Sequence, residues 1–361
     1  MAQIDAFFKL MKEQGASDLH LASGSQPILR IRGEMKRIKH QLFDDEELKK
    51  LLYEITPEEK IKMFEEIGDL DFAYEIPGLA RYRANYFNQA SGISAVFREI
   101  PSEILSIDQL GLPSILKKLA LLPNGLVLVT GPTGSGKTTT LAAIINEANE
   151  KREDHILTIE DPLEFKHTHK GCLISHREVG THTRSFSAAL RAALREDPDI
   201  IMVGEMRDLE TISLALEASN TGHLVFGTLH TTSATKTIDR IIDVFPANQQ
   251  GQIRSSLADG LRAVLAQTLF KRIDKKGGRC AALEILLVNS AVRAHIREGK
   301  SLHIPTDIEV GKKFGMRTLD EAIMEHLEKG RIDPKDAYNK CIDKSKFVPF
   351  LKKPPDAIFG I

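Results

Sequence analysis

The eight residues Gly131-Pro132-Thr133-Gly134-Ser135-Gly136-Lys137-Thr138 constrain this chain more than any other stretch. Ahead of them, Leu126-Val127-Leu128-Val129 is a continuous apolar run, as a strand buried on both faces requires. Behind them, Thr138 to Asn149 reads as a helix. A glycine-rich turn between strand and helix lets backbone N–H groups point at phosphate oxygens, and the helix start adds the positive end of its dipole. Gly131, Gly134 and Gly136 permit the tight turn. Lys137 is placed to reach β- and γ-phosphates, and Thr138 to ligate Mg²⁺. The expected nucleotide contacts are therefore Gly131, Pro132, Thr133, Gly134, Ser135, Gly136, Lys137, Thr138 and Thr139.

The same alternation continues downstream. Apolar runs at Ile156 to Ile159, Ile200 to Val203 and Leu224 to Phe226 are separated by helix-like segments at 137–150, 186–195, 208–220 and 234–243. That pattern predicts an α/β fold with a parallel sheet covered on both faces. Cys280 to Val288 suggests a further strand, Lys271 to Arg279 a solvated charged hairpin, and the chain from Ser290 is mostly helical. The first hundred residues differ. A helix over 3–14, strands at Leu19 to Leu21, Ile28 to Ile31, Leu70 to Ile76, Ala80 to Phe87 and Ile93 to Ile100, and helices at Asp44 to Tyr53 and Pro57 to Ile67 predict a small α+β domain with a mostly antiparallel sheet. The expected division is a domain at 1–100, a linker at 101–112, a nucleotide-binding core at 113–289 opening with a helix at 113–121, and a helical region at 290–361.

Lys plus Arg number 49 against 50 Asp plus Glu, so nothing signals a large nucleic-acid footprint. The three cysteines, Cys172, Cys280 and Cys341, form no Cys-x-x-Cys pair, which argues against a disulfide framework or a cysteine zinc site. No signal-peptide pattern and no membrane-length apolar run is present. The expectation is a cytoplasmic protein without direct membrane insertion, free to dock on a membrane complex.

In an open parallel sheet, ligands sit at the carboxyl ends of the strands. Two strands besides the first run into acids there, one into Glu160-Asp161-Pro162-Leu163-Glu164 and one into Gly204-Glu205. Glu205 is assigned near Mg²⁺, through water, and Glu164 to the attacking water; spacing alone leaves Glu160, Asp161 and Glu164 open as the base. His230 follows the strand at Leu224 to Phe226 and is placed to contact the γ-phosphate, with His223 a second candidate; a purely structural hydrogen bond is the bland alternative for each. Arg81 and Arg83 share a strand face and offer two cations to phosphate, against the bland reading of a solvated face; Arg98, Arg191 and Arg195 are weaker candidates.

Four segments occur in an order that resembles the secretion ATPases of type II secretion and type IV pili. Gly131 to Thr138 looks like the Walker A of that family, Ile159 to Phe165 its aspartate box, Arg195 to Asp208 its Walker B with a Gly-Glu ending, and Thr221 to Thr232 its histidine box. The resemblance spans most of the chain. It implies an N-terminal PAS-like domain joined to a RecA-like domain, a homo-hexamer with a nucleotide site at each interface, and ATP hydrolysis with Mg²⁺. It also implies Glu164 as base, Glu205 in the Walker B role, His230 as a γ-phosphate contact, and Arg81 and Arg83 as phosphate-contacting arginines. Extension and secretion members are longer and usually carry a four-cysteine zinc motif, neither of which this sequence has. Retraction members carry Ala-Ile-Arg-Asn-Leu-Ile-Arg-Glu near the C-terminus; here Ala291, Arg293, Ile296, Arg297 and Glu298 match, while Ala294 and His295 depart. The implied function is pilus retraction and twitching motility, with an inner-membrane pilus platform protein as partner. An accessory retraction ATPase, a nucleotide-gated scaffold without turnover and a DNA translocase are the competing readings.

Overall fold

The structure, a computed structural model, describes residues 2–31, 33–100, 103–275 and 277–351. The chain forms two compact units: the residues up to Glu103 together with Pro162–Lys166, and Ile104–Asp161 together with the residues from His167 onward.

In the first unit, alternating apolar side chains build an antiparallel sheet. Its strands are β1 (Ala16–Ala22), β2 (Ile28–Ile31), β3 (Glu34–Arg37), β4 (Asp69–Ile76), β5 (Ala80–Gln89) and β6 (Gly92–Ile100), in the order β3-β2-β1-β6-β5-β4. On β5, Tyr82, Ala84 and Tyr86 are buried while Arg83 is exposed, as a period of two requires. Helix α1 (Asp5–Gln14) lays Phe8 and Met11 into this core, and Phe8 stacks on Tyr82 with ring centres 4.3 Å apart. Helices α2 (Asp45–Tyr53) and α3 (Glu58–Ile67) follow; Asp44 caps α2 by accepting from the Glu47 N–H at 2.8 Å. Strand β3 was not expected, because all four of its side chains are exposed and carry no alternation.

The second unit opens with α4 (Ile115–Ala120) and holds seven strands, β7 (Gly125–Thr130), β8 (His155–Glu160), β9 (Leu173–Glu178), β10 (Ile200–Val203), β11 (Leu224–Leu229), β12 (Leu261–Lys271) and β13 (Arg279–Leu287). Their order is β13-β12-β7-β11-β10-β8-β9, parallel throughout except for the β12–β13 hairpin. Leu126 and Leu128 pack into one core with α6 (Phe186–Ala193), α7 (Leu209–Asn220), α8 (Ala234–Asp243) and α9 (Gln250–Gly260). Val127 and Val129 face the other way, into a core shared with α4 and α5 (Lys137–Lys151). Burial on both faces is why these strands show no alternation. The helical region contains α10 (Ser290–Arg297), α11 (Ile304–Val310), α12 (Leu319–Glu328) and α13 (Pro334–Lys340), the last two packed on Phe270 and Cys280 of the hairpin.

Strands β9 and β12 and the segment Pro162–Lys166 differ from the expectation. Strand β9 lies at the sheet edge with Leu173 57% exposed, so it lacks the apolar run of its neighbours. Strand β12 begins at Leu261 directly after Gly260 closes α9, with no loop residues to mark the change of period. Pro162–Lys166, expected inside the nucleotide-binding core, packs with the first unit: Leu163 and Phe165 are buried, and Lys166 lies 3.7 Å from Glu75. Pro101 and Ser102 of the expected linker, Lys276 of the charged hairpin and 352–361 of the helical region lie outside the described residues. Cys172, Cys280 and Cys341 are free and buried. Among the described residues, no helix is long and apolar enough to cross a membrane.

Candidate active site

The phosphate loop joins β7 to α5. Gly131, Gly134 and Gly136 have φ of 140°, 78° and 86°, in the region that favours glycine. Space is as restrictive as conformation: a Cβ on Gly131 would lie 2.4 Å from the Gln267 carbonyl oxygen. The first turn of α5 presents backbone donors with no intrahelical acceptor. The Ser135 hydroxyl is buried and has no hydrogen-bond partner among the described residues, so the loop holds polar capacity that an anion would satisfy. Lys137 Nζ donates to the carbonyls of Gly131 at 2.9 Å and Pro132 at 3.3 Å. A cavity of about 610 Å³ adjoins the outer side of the loop, walled by Thr133, Ser135, Lys236, Leu269, Lys340 and Ile342 among others.

Sheet register brings the other candidates to the same edge. Thr130 pairs with Leu229, Gly227 with Val203, and Val203 with Ile159. Gly131, His230, Gly204-Glu205 and Glu160-Asp161 therefore all leave the carboxyl ends of neighbouring parallel strands. His230 Nε2 lies 2.7 Å from Glu205 Oε1, and the Arg207 guanidinium pairs with the same oxygen. The Thr228 hydroxyl donates to the Gly204 carbonyl at 2.5 Å, fixing the turn that aims Glu205. Thr138 and Glu205 offer hydroxyl and carboxylate oxygens, a hard donor set that suits Mg²⁺. His223 sits at the other end of β11, with Nδ1 3.0 Å from the Ala218 carbonyl, and so takes the structural reading.

Glu164 and Arg81 meet in the first unit. Both line a cavity of about 390 Å³ with Glu75 and Lys166. Arg81 lies 3.6 Å from Glu75, and Arg83 3.5 Å from Asp71, so both arginines face acids of β4. Arg98 pairs with Asp18 at 2.7 Å, and Arg191 with Glu210, as structural partners.

The C-terminal motif occupies α10 and packs on the end of α9. Arg293 Nε donates to the Ala258 carbonyl at 3.0 Å, and Arg297 pairs with Asp259. Both cations thus sit where the helix dipole is negative. Ile296 is buried, Ala291 and Glu298 are exposed, and Glu298 pairs with Lys300 at 2.7 Å. His295, one of the two departures, holds Asp307 of α11 at 2.7 Å, a contact that an apolar residue does not make.

Two buried polar residues on the β12–β13 hairpin escaped the sequence reading, although Gln267 follows the apolar run Ala263 to Ala266 and Glu284 interrupts the apolar run Cys280 to Leu287. Gln267 contacts the phosphate loop. Glu284 accepts from the Ala234 N–H at 2.7 Å, fixing the start of α8 just after the histidine box. Burial pushes the Glu284 carboxyl above its usual 4.5, with the nearby Asp320 adding to the effect and the Ala234 N–H opposing it. The folded state therefore holds this proton more tightly than the unfolded chain. The stabilisation is present below pH 4.5 and is lost as pH rises through the folded value. A Glu284→Gln variant keeps an acceptor for Ala234 without the charge. Its melting temperature is expected to match wild type near pH 4.5 and to exceed it increasingly towards pH 7; an unchanging gap across that range contradicts the assignment.

A glycine loop between a parallel strand and a helix, with an acid and a histidine on adjoining strand ends, defines a P-loop nucleotide-binding protein. Residues 2–329 match the family model described as Type II/IV secretion system protein. The type IV pilus retraction ATPase PilT of Pseudomonas aeruginosa is 52% identical over 329 residues, covering 91% of this chain and 95% of that one. The type IV pilus ATPase PilU of the same organism is 37% identical over 335 residues, 93% of this chain and 87% of that one. A crystal structure of the pilus retraction motor PilT with bound ADP superimposes with a TM-score of 0.88 at 42% identity, covering 96% of this chain and 98% of that one. The chain belongs to the type II/IV secretion system protein family and, within it, to the PilT-type ATPases.

Proposed function

We propose that this protein is the motor ATPase of type IV pilus retraction and thereby of twitching motility. The observation that carries the reading is a 52% identity to a PilT that runs through both units, over 91% of the chain. The 37% identity to PilU makes the accessory role the second choice. In this reading residues 1–100 form a PAS-like domain, 101–112 a linker, 113–289 a RecA-like core and 290–361 a helical region. Six copies form a ring in the cytoplasm, docked on the platform protein at the inner membrane.

ATP binds with its phosphates on the loop Gly131 to Thr138, continuing to Thr139. Lys137 exchanges the carbonyls of Gly131 and Pro132 for phosphate oxygens. Glu164 takes a proton from water as the water oxygen bonds to the γ-phosphorus; the bond to the β,γ-bridging oxygen breaks, and ADP leaves carrying that oxygen. Support for Glu164 over its neighbours Glu160 and Asp161 comes from the family resemblance. Mg²⁺, held by Thr138 and through water by Glu205, would neutralise charge on the β- and γ-phosphates. His230, 2.7 Å from Glu205, is suited to report the γ-phosphate, since a change there alters its pairing with the Walker B acid. Arg81 and Arg83 supply further positive charge to phosphates. Coupling of hydrolysis to movement between the two units, about the linker at 101–112, is the motor step that the family resemblance implies.

Deleting the gene and imaging labelled pili tests the assignment. Excess pili that extend and do not retract are expected, whereas bald cells would assign the protein to extension.

A further inference from the structure

We propose that Gln267 is a positioning residue for phosphate binding, acting through the peptide between Ser135 and Gly136; the proposal rests on the reading of Gly131 to Thr138 as the phosphate site. Gln267 lies on β12, is 2% exposed, and uses both ends of its amide. Nε2 donates to the Ser135 carbonyl at 2.6 Å, and Oε1 accepts from the Thr140 hydroxyl at 2.7 Å. Each contact dictates the other. A carbonyl accepts only from the NH₂ end, which leaves the oxygen for the hydroxyl.

The consequence follows from the planarity of the peptide. In a trans peptide the C=O of one residue and the N–H of the next point in opposite directions. A Ser135 carbonyl drawn towards β12 turns the Gly136 N–H away from β12, as a donor for an anion. Without the Gln267 bond, the Ser135 carbonyl is free to rotate towards the phosphates, where its negative end repels them. The second bond clamps Thr140, in the first turn of α5, so one amide holds both the loop and the helix that supply the donors. Close packing leaves the loop little alternative: a Cβ on Gly136 would lie 2.9 Å from Gln267 Nε2.

The test uses the full chain, with fluorescently labelled ADP plus Mg²⁺ as probe and steady-state ATP hydrolysis alongside. Gln267→Leu fills the space without either hydrogen bond. It is expected to weaken ADP binding and raise KM for ATP fivefold or more, while kcat at saturation changes less than threefold. That split separates positioning from general loss of structure, which lowers the active fraction and kcat with KM unchanged. A change in ADP affinity below fivefold overturns the proposal. If Gln267→Leu does not fold, Gln267→Met is judged by the same limits. Thr140→Val frees the amide to rotate while leaving Gln267 in place, and is expected to weaken ADP binding at least twofold; an unchanged affinity there also counts against the clamp. Lys137→Ala separates the two levels of the argument. If it loses ADP while Gln267→Leu keeps it, only the role of Gln267 fails; if it too binds ADP like wild type, the phosphate-site reading fails.

Discussion

A Glu164→Gln variant is expected to bind ATP and release phosphate about 10²- to 10⁴-fold more slowly than wild type, the usual contribution of a positioned general base. Glutamine preserves size and hydrogen bonding but cannot accept the proton from water. Binding should survive, because the phosphate loop lies on a different segment, between β7 and α5. The variant should therefore hold ATP unhydrolysed, readable as bound ATP after gel filtration together with lost phosphate release. Equal phosphate release would remove Glu164 from the base role. Glu160 and Asp161, which leave the same strand, would then be tested in turn.

Lys137→Ala should fail one step earlier. Its ammonium now caps the carbonyls of Gly131 and Pro132, and alanine removes the only charged side chain within the loop Gly131 to Thr138. A charge-assisted hydrogen bond to phosphate is worth about 1.5–3 kcal/mol, so affinity should fall roughly ten- to a hundredfold. Turnover should fall further still, since the same cation stabilises charge that develops in the transition state. Isothermal titration with ADP and Mg²⁺ separates the two variants: Glu164→Gln keeps binding and Lys137→Ala loses it. Tight binding by Lys137→Ala would place the phosphates elsewhere.

These predictions rest on features that differ in how far they are legible in the sequence. The phosphate loop is local: glycines, Lys137 and Thr138 sit within eight residues between an apolar run and a helix. The strand ends at Glu205 and His230 were legible for a related reason. The apolar runs Ile200 to Val203 and Leu224 to Phe226 mark strands β10 and β11, so Glu205 and His230 lie a few residues beyond them on the same side, and register then brings the two to within 2.7 Å. Gln267 and Glu284 were not legible as site residues. Their partners lie far off in sequence, at Ser135, Thr140 and Ala234, and only sheet order places β12 beside β7. Strand β12 was also hidden by its direct start after α9. The packing of Pro162–Lys166 with the first unit was invisible for the same reason, because the unit that buries Leu163 and Phe165 and places Glu75 near Lys166 lies far off in sequence. The C-terminal motif is intermediate: its residues were found by resemblance, but the contacts of Arg293 and Arg297 with the end of α9 emerge only in the fold.

The central claim is that hydrolysis at this P-loop drives pilus retraction. It is tested most directly by imaging labelled pili in cells whose only copy of the protein carries Glu164→Gln. Pili that extend normally, stay out and accumulate are the expected result. Retraction at the wild-type frequency, or cells without pili, would contradict it.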